Sequence, residues 1–165
     1  MTSDAWILVL EYLFHLTLRH GWNLVALPVR PADPRMDELF GDVCSGPAYE
    51  WTGGAYQIAL RLAAKHGYWL YSGRQLPVEM LILGAAVEDP WTRLTQGWNL
   101  IGPVAVPPYA AVALPLAVTP GGRLVSPYIG WNTEVGQYDV ATLSLDCGAA
   151  YWIYANGDAQ LKCRN

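Results

Sequence analysis

The tetrapeptide Gly21-Trp22-Asn23-Leu24 returns as Gly97-Trp98-Asn99-Leu100, 76 residues later. Tyr68-Trp69-Leu70-Tyr71 returns as Tyr151-Trp152-Ile153-Tyr154, 83 residues later. Between them Trp51 matches Trp131 and Tyr56 matches Tyr138, at offsets of 80 and 82. The order is kept while the offset grows, as it would if the second copy carried loop insertions. Four matches in series, built on rare residues, point to a tandem duplication. Residues 1–12 then form a lead-in strand, 13–84 a first β module and 85–165 a second.

Each module reads as the same succession of short strands. Gly21 and Gly97 are placed to take the positive φ of a tight turn, which a side chain resists. Trp22 to Val29 is apolar on both faces, the pattern of a central strand rather than an edge. Asn23 and Asn99 interrupt that apolar pattern, and a buried amide must find partners. Hydrogen bonds to a neighbouring strand or loop, fixing register, are expected. After Pro28 and a Pro-rich stretch, Met36, Leu39, Phe40 and Val43 follow helical spacing, which predicts one short helix. Its counterpart, Pro107 to Thr119, predicts a loop with at most one helical turn. Tyr49–Trp51 with Tyr56–Leu60, and Ile129–Thr133 with Gln137–Leu143, predict hairpins. Asn156-Gly157 predicts a type I′ turn joining the last two strands.

The link from Gly84 to Pro90 is too short to let the modules drift apart. The expected fold is therefore mainly β, with the two modules packed around a pseudo-twofold axis as a barrel or barrel-like unit. A closed barrel would remove exposed strand edges from so apolar a chain.

Composition narrows the function. Hydrophobic residues make up 53% and charged residues 15% of the 165, with a net charge of −4. No Lys/Arg cluster could neutralise a row of phosphates, so nucleic acid is not an expected partner. No apolar run is long enough to span a membrane as a helix. Eight Trp and ten Tyr stand against two Phe, a bias towards aromatics with polar tips that suits cores, rims and sugar-stacking platforms alike.

Chemistry is sparse. His15, His20 and His66 are the histidines. His20 and His66 precede repeated Gly-aromatic motifs and could meet Cys44 in a metal or nucleophilic site. A small hydrolase built on that His/Cys/carboxylate set is the rival function, and ordinary turn histidines the plainer reading. Asp33, Asp37, Glu38 and Asp42 cluster around the short helix, where Asp37 and Glu38 suit its N-terminus, and they lack the spacing of a calcium loop. Cys147 and Cys163 flank the predicted Asn156-Gly157 hairpin, so they are either a cross-strand disulfide or, with Cys44, buried thiols. No cofactor motif is present.

The strand Gly21-Trp22-Asn23-Leu24-Val25-Ala26-Leu27-Pro28, the Pro-rich stretch, the short helix, the Trp/Tyr hairpin and Gly67-Tyr68-Trp69 together resemble the Gly-Trp-Asn-Leu repeat modules of bacterial exported and cell-surface proteins. The resemblance covers residues 13 to 163. The second copy departs where Ile101-Gly102-Pro103-Val104 replaces Val25-Ala26-Leu27-Pro28. The resemblance implies an extracellular or cell-surface setting and a non-catalytic accessory role in adhesion, recognition or spacing. It brings no catalytic residues, and gives Gly21, Trp22, Asn23, Tyr68, Trp69, Gly97, Trp98, Asn99, Tyr151 and Trp152 structural roles. Low charge makes a neutral glycan, or another domain of the same parent chain, the expected partner. Trp51, Tyr56, Trp91 and Trp131, in hairpins and connections, are the expected binding residues.

Overall fold

The computed structural model describes residues 11–104 and 111–164. They are mainly β, in several antiparallel sheets, with one five-residue helix. No helix among them is long and apolar enough to cross a membrane.

The first half opens with β1 (Glu11–Leu18), which crosses the expected boundary at residue 12; residues 1–10 of the expected lead-in strand lie outside the described residues. The chain turns at Arg19-His20 into β2 (Gly21–Ala26), with Gly21 at φ +92°. After β3 (Arg30–Pro31) comes α1 (Met36–Phe40), the predicted helix. It sends Met36 and Phe40, one turn apart, into the core. Asp33 holds Arg35 through both carboxylate oxygens, and this hydrogen-bonded pairing lowers the Asp33 pKa to about 2. Next come β4 (Ala48–Thr52), β5 (Ala55–Ala59), β6 (Gly67–Ser72) and β7 (Val78–Ala85). β7 lies between β1 and β3 in one sheet, and β2-β6-β4-β5 form the other. Leu18, Leu27, Val29, Phe40, Leu62, Tyr68, Leu70 and Ile82 form the core drawn from both.

The second half has its own core, including Leu94, Val104, Leu145, Ile153 and Leu161. Its strands are β8 (Trp91–Leu94), β9 (Gly97–Ile101), β10 (Ala111–Ala113), β11 (Val118–Thr119), β12 (Tyr128–Asn132), β13 (Gln137–Ala141), β14 (Ser144–Asp146), β15 (Tyr151–Ala155) and β16 (Ala159–Lys162). The sheet β9-β15-β12-β13 has the strand order of β2-β6-β4-β5, position for position. The sheet β8-β16-β11 stands beside it as β1-β7-β3 does in the first half.

Three expectations change. Within the predicted loop 107–119, residues 107–110 lie outside the described residues. The remainder holds two short strands, because Val112 and Leu116 are buried in the second core and β10 pairs with β14. β2 is an edge strand of its own sheet, not a central one. Its free edge is covered from the second half, where Ala26 N–H donates to Gly148 and Ala150 N–H donates to Leu24. The Asn156-Gly157 turn carries the chain from one sheet to another instead of closing a hairpin, since β15 pairs with β9 and β12 while β16 pairs with β8 and β11. Cys147 and Cys163 are therefore not set opposite each other on paired strands, and both are free, as is Cys44. As expected, Asn23 bonds to backbone beside its strand, and of the two partners named, strand or loop, it is the loop: the Arg19–Gly21 turn. Its Oδ1 accepts from Arg19 N–H at 3.0 Å and its Nδ2 donates to the carbonyls of Arg19 and Gly21. Asn99 does the same with Thr95 and Gly97.

The two halves are joined by backbone contacts as well as side chains. Bridges link Val25 to Ala149 and His66 to Ile101. Gly102 N–H donates to Lys65, matching the bond from Ala26 to Gly148. Lys65 and Gly148 both take positive φ, +72° and +98°. No closed barrel is found among the described strands.

Candidate aromatic binding site

Alternation along a strand sends successive side chains to opposite faces. In β2 this gives Asn23 and Val25 to one face and Trp22, Leu24 and Ala26 to the other. The register places Trp22 opposite Tyr71, Leu24 opposite Trp69, Tyr49 opposite Trp69, and Trp51 opposite Tyr56, so one face of the sheet is largely aromatic. That face turns away from the first core and meets its equivalent in the second half. Leu24, Ala26 and Trp69 pack there against Leu100, Ala150 and Trp152.

Aromatic rings carry the contact outward. Trp51 meets Trp152 at 5.3 Å between ring centres, and Trp69 meets Trp131 at 5.2 Å. Trp51 Nε1 donates to the carbonyl of Trp98 at 3.0 Å, and Trp131 Nε1 to that of Trp22 at 2.9 Å. Each half thus pins the Gly-Trp-Asn-Leu strand of the other. Trp69 Nε1 donates to the Tyr56 hydroxyl at 3.2 Å.

The aromatic faces do not cover each other completely, and two clefts remain. One, of about 560 Å³, is lined by Trp22, Tyr49, Tyr56, Trp69, Trp131 and Tyr138. The other, of about 410 Å³, is lined by Trp98, Ile129, Tyr138, Trp152, Trp51 and Tyr56. Under the repeat offsets the two linings correspond residue for residue, with Tyr49 answered by Ile129 as the one change of type. Tyr56 and Tyr138 belong to both clefts. Trp22 and Trp98 are each 44% exposed, and Tyr56 and Tyr138 about half exposed. No lining residue carries a formal charge. Burial, with Tyr56 close by, raises the pKa of Tyr138, which keeps its hydroxyl protonated.

Of the four expected binding residues, Trp51, Tyr56 and Trp131 meet at the clefts. Trp91 does not. It lies on β8, where its carbonyl takes the Lys65 ammonium at 2.6 Å. Trp22, Trp69, Trp98 and Trp152, expected to be structural only, are cleft walls as well. Their alternation with buried Asn23, Val25, Tyr68 and Leu70 was the available signal. Tyr68 and Tyr151 face their own cores, and their hydroxyls accept the N–H of Ala63 and of Asp146, both at 2.8 Å.

The histidine and cysteine set is dispersed. His20 packs edge-on to Tyr71, His66 bridges to Ile101 and Cys44 to Ser72. Burial lowers the His66 pKa and raises the Cys44 thiol to about 11, leaving a neutral imidazole and an un-ionised thiol at pH 7. Among the described residues no group of three or more His, Cys, Asp or Glu side chains is arranged to hold a metal ion. Comparison with family models, curated proteins and solved structures found no match.

Proposed function

We propose that this chain is a non-catalytic recognition module of an exported bacterial protein, a tandem duplication packed around a pseudo-twofold axis, and that its paired aromatic clefts take a neutral ligand. Support for the duplication comes from contacts that occur in matched pairs at the repeat offsets: the two indole bonds, the two asparagine-closed turns, the two core tyrosines and the two bridges. The bridges, which tie β2 to the approach to β15 and β9 to the approach to β6, support a barrel-like centre. The resemblance of the Gly-Trp-Asn-Leu strands supports the exported setting.

The observation that carries the function is the pair of uncharged aromatic clefts sharing Tyr56 and Tyr138. Rings left half exposed in a concave, apolar setting are suited to stacking and to excluding water from a ligand. A charged ligand would lose hydration there without gaining a counter-charge. Acrylamide quenching of tryptophan fluorescence, repeated across neutral polysaccharides and uncharged peptides, tests this. Saturable protection that disappears in Trp22→Ala and Trp98→Ala is expected. Failure of every ligand to protect would leave a spacer role instead.

A further inference from the structure

We infer that the occupant of the paired clefts is a proline-rich segment in the polyproline II conformation, an inference that rests on the recognition reading above. Three features of the clefts select it. The first is charge: both linings are uncharged, so the segment that fits is neutral along the stretch it buries.

The second is the polar inventory. The indole N–H groups of Trp51 and Trp131 are engaged by backbone carbonyls, and that of Trp69 by the Tyr56 hydroxyl. The indole N–H groups of Trp22 and Trp98, which also line the clefts, and the tyrosine hydroxyls remain to donate. Tyr56 is set up to do so, since its oxygen already accepts. A sugar ring brings several hydroxyls, each needing both donors and acceptors when buried. A prolyl ring brings none, and the polyproline backbone offers carbonyls that only accept.

The third is shape. Trp51–Tyr56, Trp51–Trp152, Trp69–Trp131 and Trp131–Tyr138 all meet edge to face, at 5.0 to 5.3 Å and 71° to 80°. These pairs are in contact with each other, so the space for a ligand is the cleft that their upright rings wall, whereas a sugar ring stacks best on a flat exposed face. Aromatic-lined grooves hold proline side chains, and the polyproline helix is extended before it binds, so little order is lost. Two adjoining clefts that share a pair of tyrosines are suited to prolines from successive turns, three residues per turn.

The test uses the full chain with acetylated, amidated decaproline and, separately, cellohexaose. Each is titrated to about 1 mM, the weak end of specific recognition, by calorimetry and tryptophan fluorescence. Decaproline is expected to bind one per chain. Trp22→Ala and Trp98→Ala should each weaken it at least about fivefold, and Trp91→Phe should leave it unchanged. Near-UV circular dichroism verifies the fold of each variant. Tyr56→Phe and Tyr138→Phe, which keep the rings and remove the donors, should weaken binding by a smaller factor even if an alanine variant fails to fold. Binding of cellohexaose at the clefts without decaproline would overturn the proline assignment and leave the recognition reading standing. Protection by neither ligand, with the indoles open to quencher, would overturn both. A mass that doubles with concentration while the clefts become protected would assign them to a second copy of the chain and overturn the inference.

Discussion

The indole N–H of Trp51 reaches the backbone carbonyl of Trp98 at 3.0 Å, and this bond ties the first hairpin to the Gly-Trp-Asn-Leu strand of the other half. Trp131 returns the contact to Trp22. Replacing either donor by phenylalanine keeps a ring but removes the N–H and part of the packing against Trp152 or Trp69. Each of Trp51→Phe and Trp131→Phe is expected to cost about 1–2 kcal/mol, measured by urea unfolding. The two costs should be alike, because the two contacts are.

Asn23 and Asn99 make equivalent bonds but are not equally buried. Asn23 is 4% exposed, whereas Asn99 is more open. Alanine at position 23 leaves Arg19 N–H and two carbonyls without their partner in a part-buried turn, a loss of about 2 kcal/mol. Alanine at position 99 lets water replace the amide, and about half that loss is expected. Thermal or urea melts of the two single variants give the comparison directly.

Much of this fold was legible from the repeated tetrapeptide and the strand alternation. The helix at Met36, the hairpins at Trp51 and Trp131, and the left-handed glycines 21 and 97 all followed from local rules. What local rules could not supply was which strand pairs with which. Asn156-Gly157 is a hairpin signal by composition, yet β15 and β16 go to different sheets because β9 and β12 already occupy both edges of β15. Trp22 to Ala26 reads as a central strand because both faces are buried, but one of those faces is covered by the other half. The clefts were half legible for the same reason. Trp51, Tyr56 and Trp131 stood out in hairpins, whereas Trp22 and Trp98 become cleft walls only when the two sheets are brought together.

Stability should depend on pH at both ends. Burial raises the thiols of Cys44 and Cys147 to about 11 and Cys163 to about 12, from 9.0. It also raises Tyr68, Tyr128 and Tyr151 to about 12, from 10.0. The folded chain keeps protons that the unfolded chain releases, so this stability is complete below about pH 9 and falls as pH climbs towards 12. His66 works in the opposite sense. Burial lowers its pKa below 6.5, so protonation favours the unfolded chain and stability declines as pH falls below 6.5. Urea midpoints from pH 5 to pH 11 should form a plateau with both edges sloping down. Replacing all three cysteines by alanine should delay the alkaline decline to about pH 10, where the tyrosines of the unfolded chain begin to ionise. An unchanged onset would mean the thiols are not the first groups to act.

Two pairs of positions related by the repeat offsets touch each other across the halves, and in each pair one member is glycine and the other alanine. Gly102 corresponds to Ala26, and a Cβ built on it would overlap the Ala26 methyl. Gly67 corresponds to Ala150, and its added Cβ would stand 2.6 Å from that methyl and 2.5 Å from Leu100 Cγ. Neither glycine has positive φ, so the constraint is room rather than backbone conformation. Equivalent positions in contact have space for one methyl, not two, and a strictly identical pair of modules with alanine at both would clash. Gly102→Ala is expected to destabilise by about 1–3 kcal/mol through overpacking. The exchanged double variant, Ala26→Gly with Gly102→Ala, moves the single methyl to the other side of the contact and should recover most of that loss. A double variant no more stable than Gly102→Ala alone would mean that Ala26 is fixed by its own strand and that the two positions are not interchangeable.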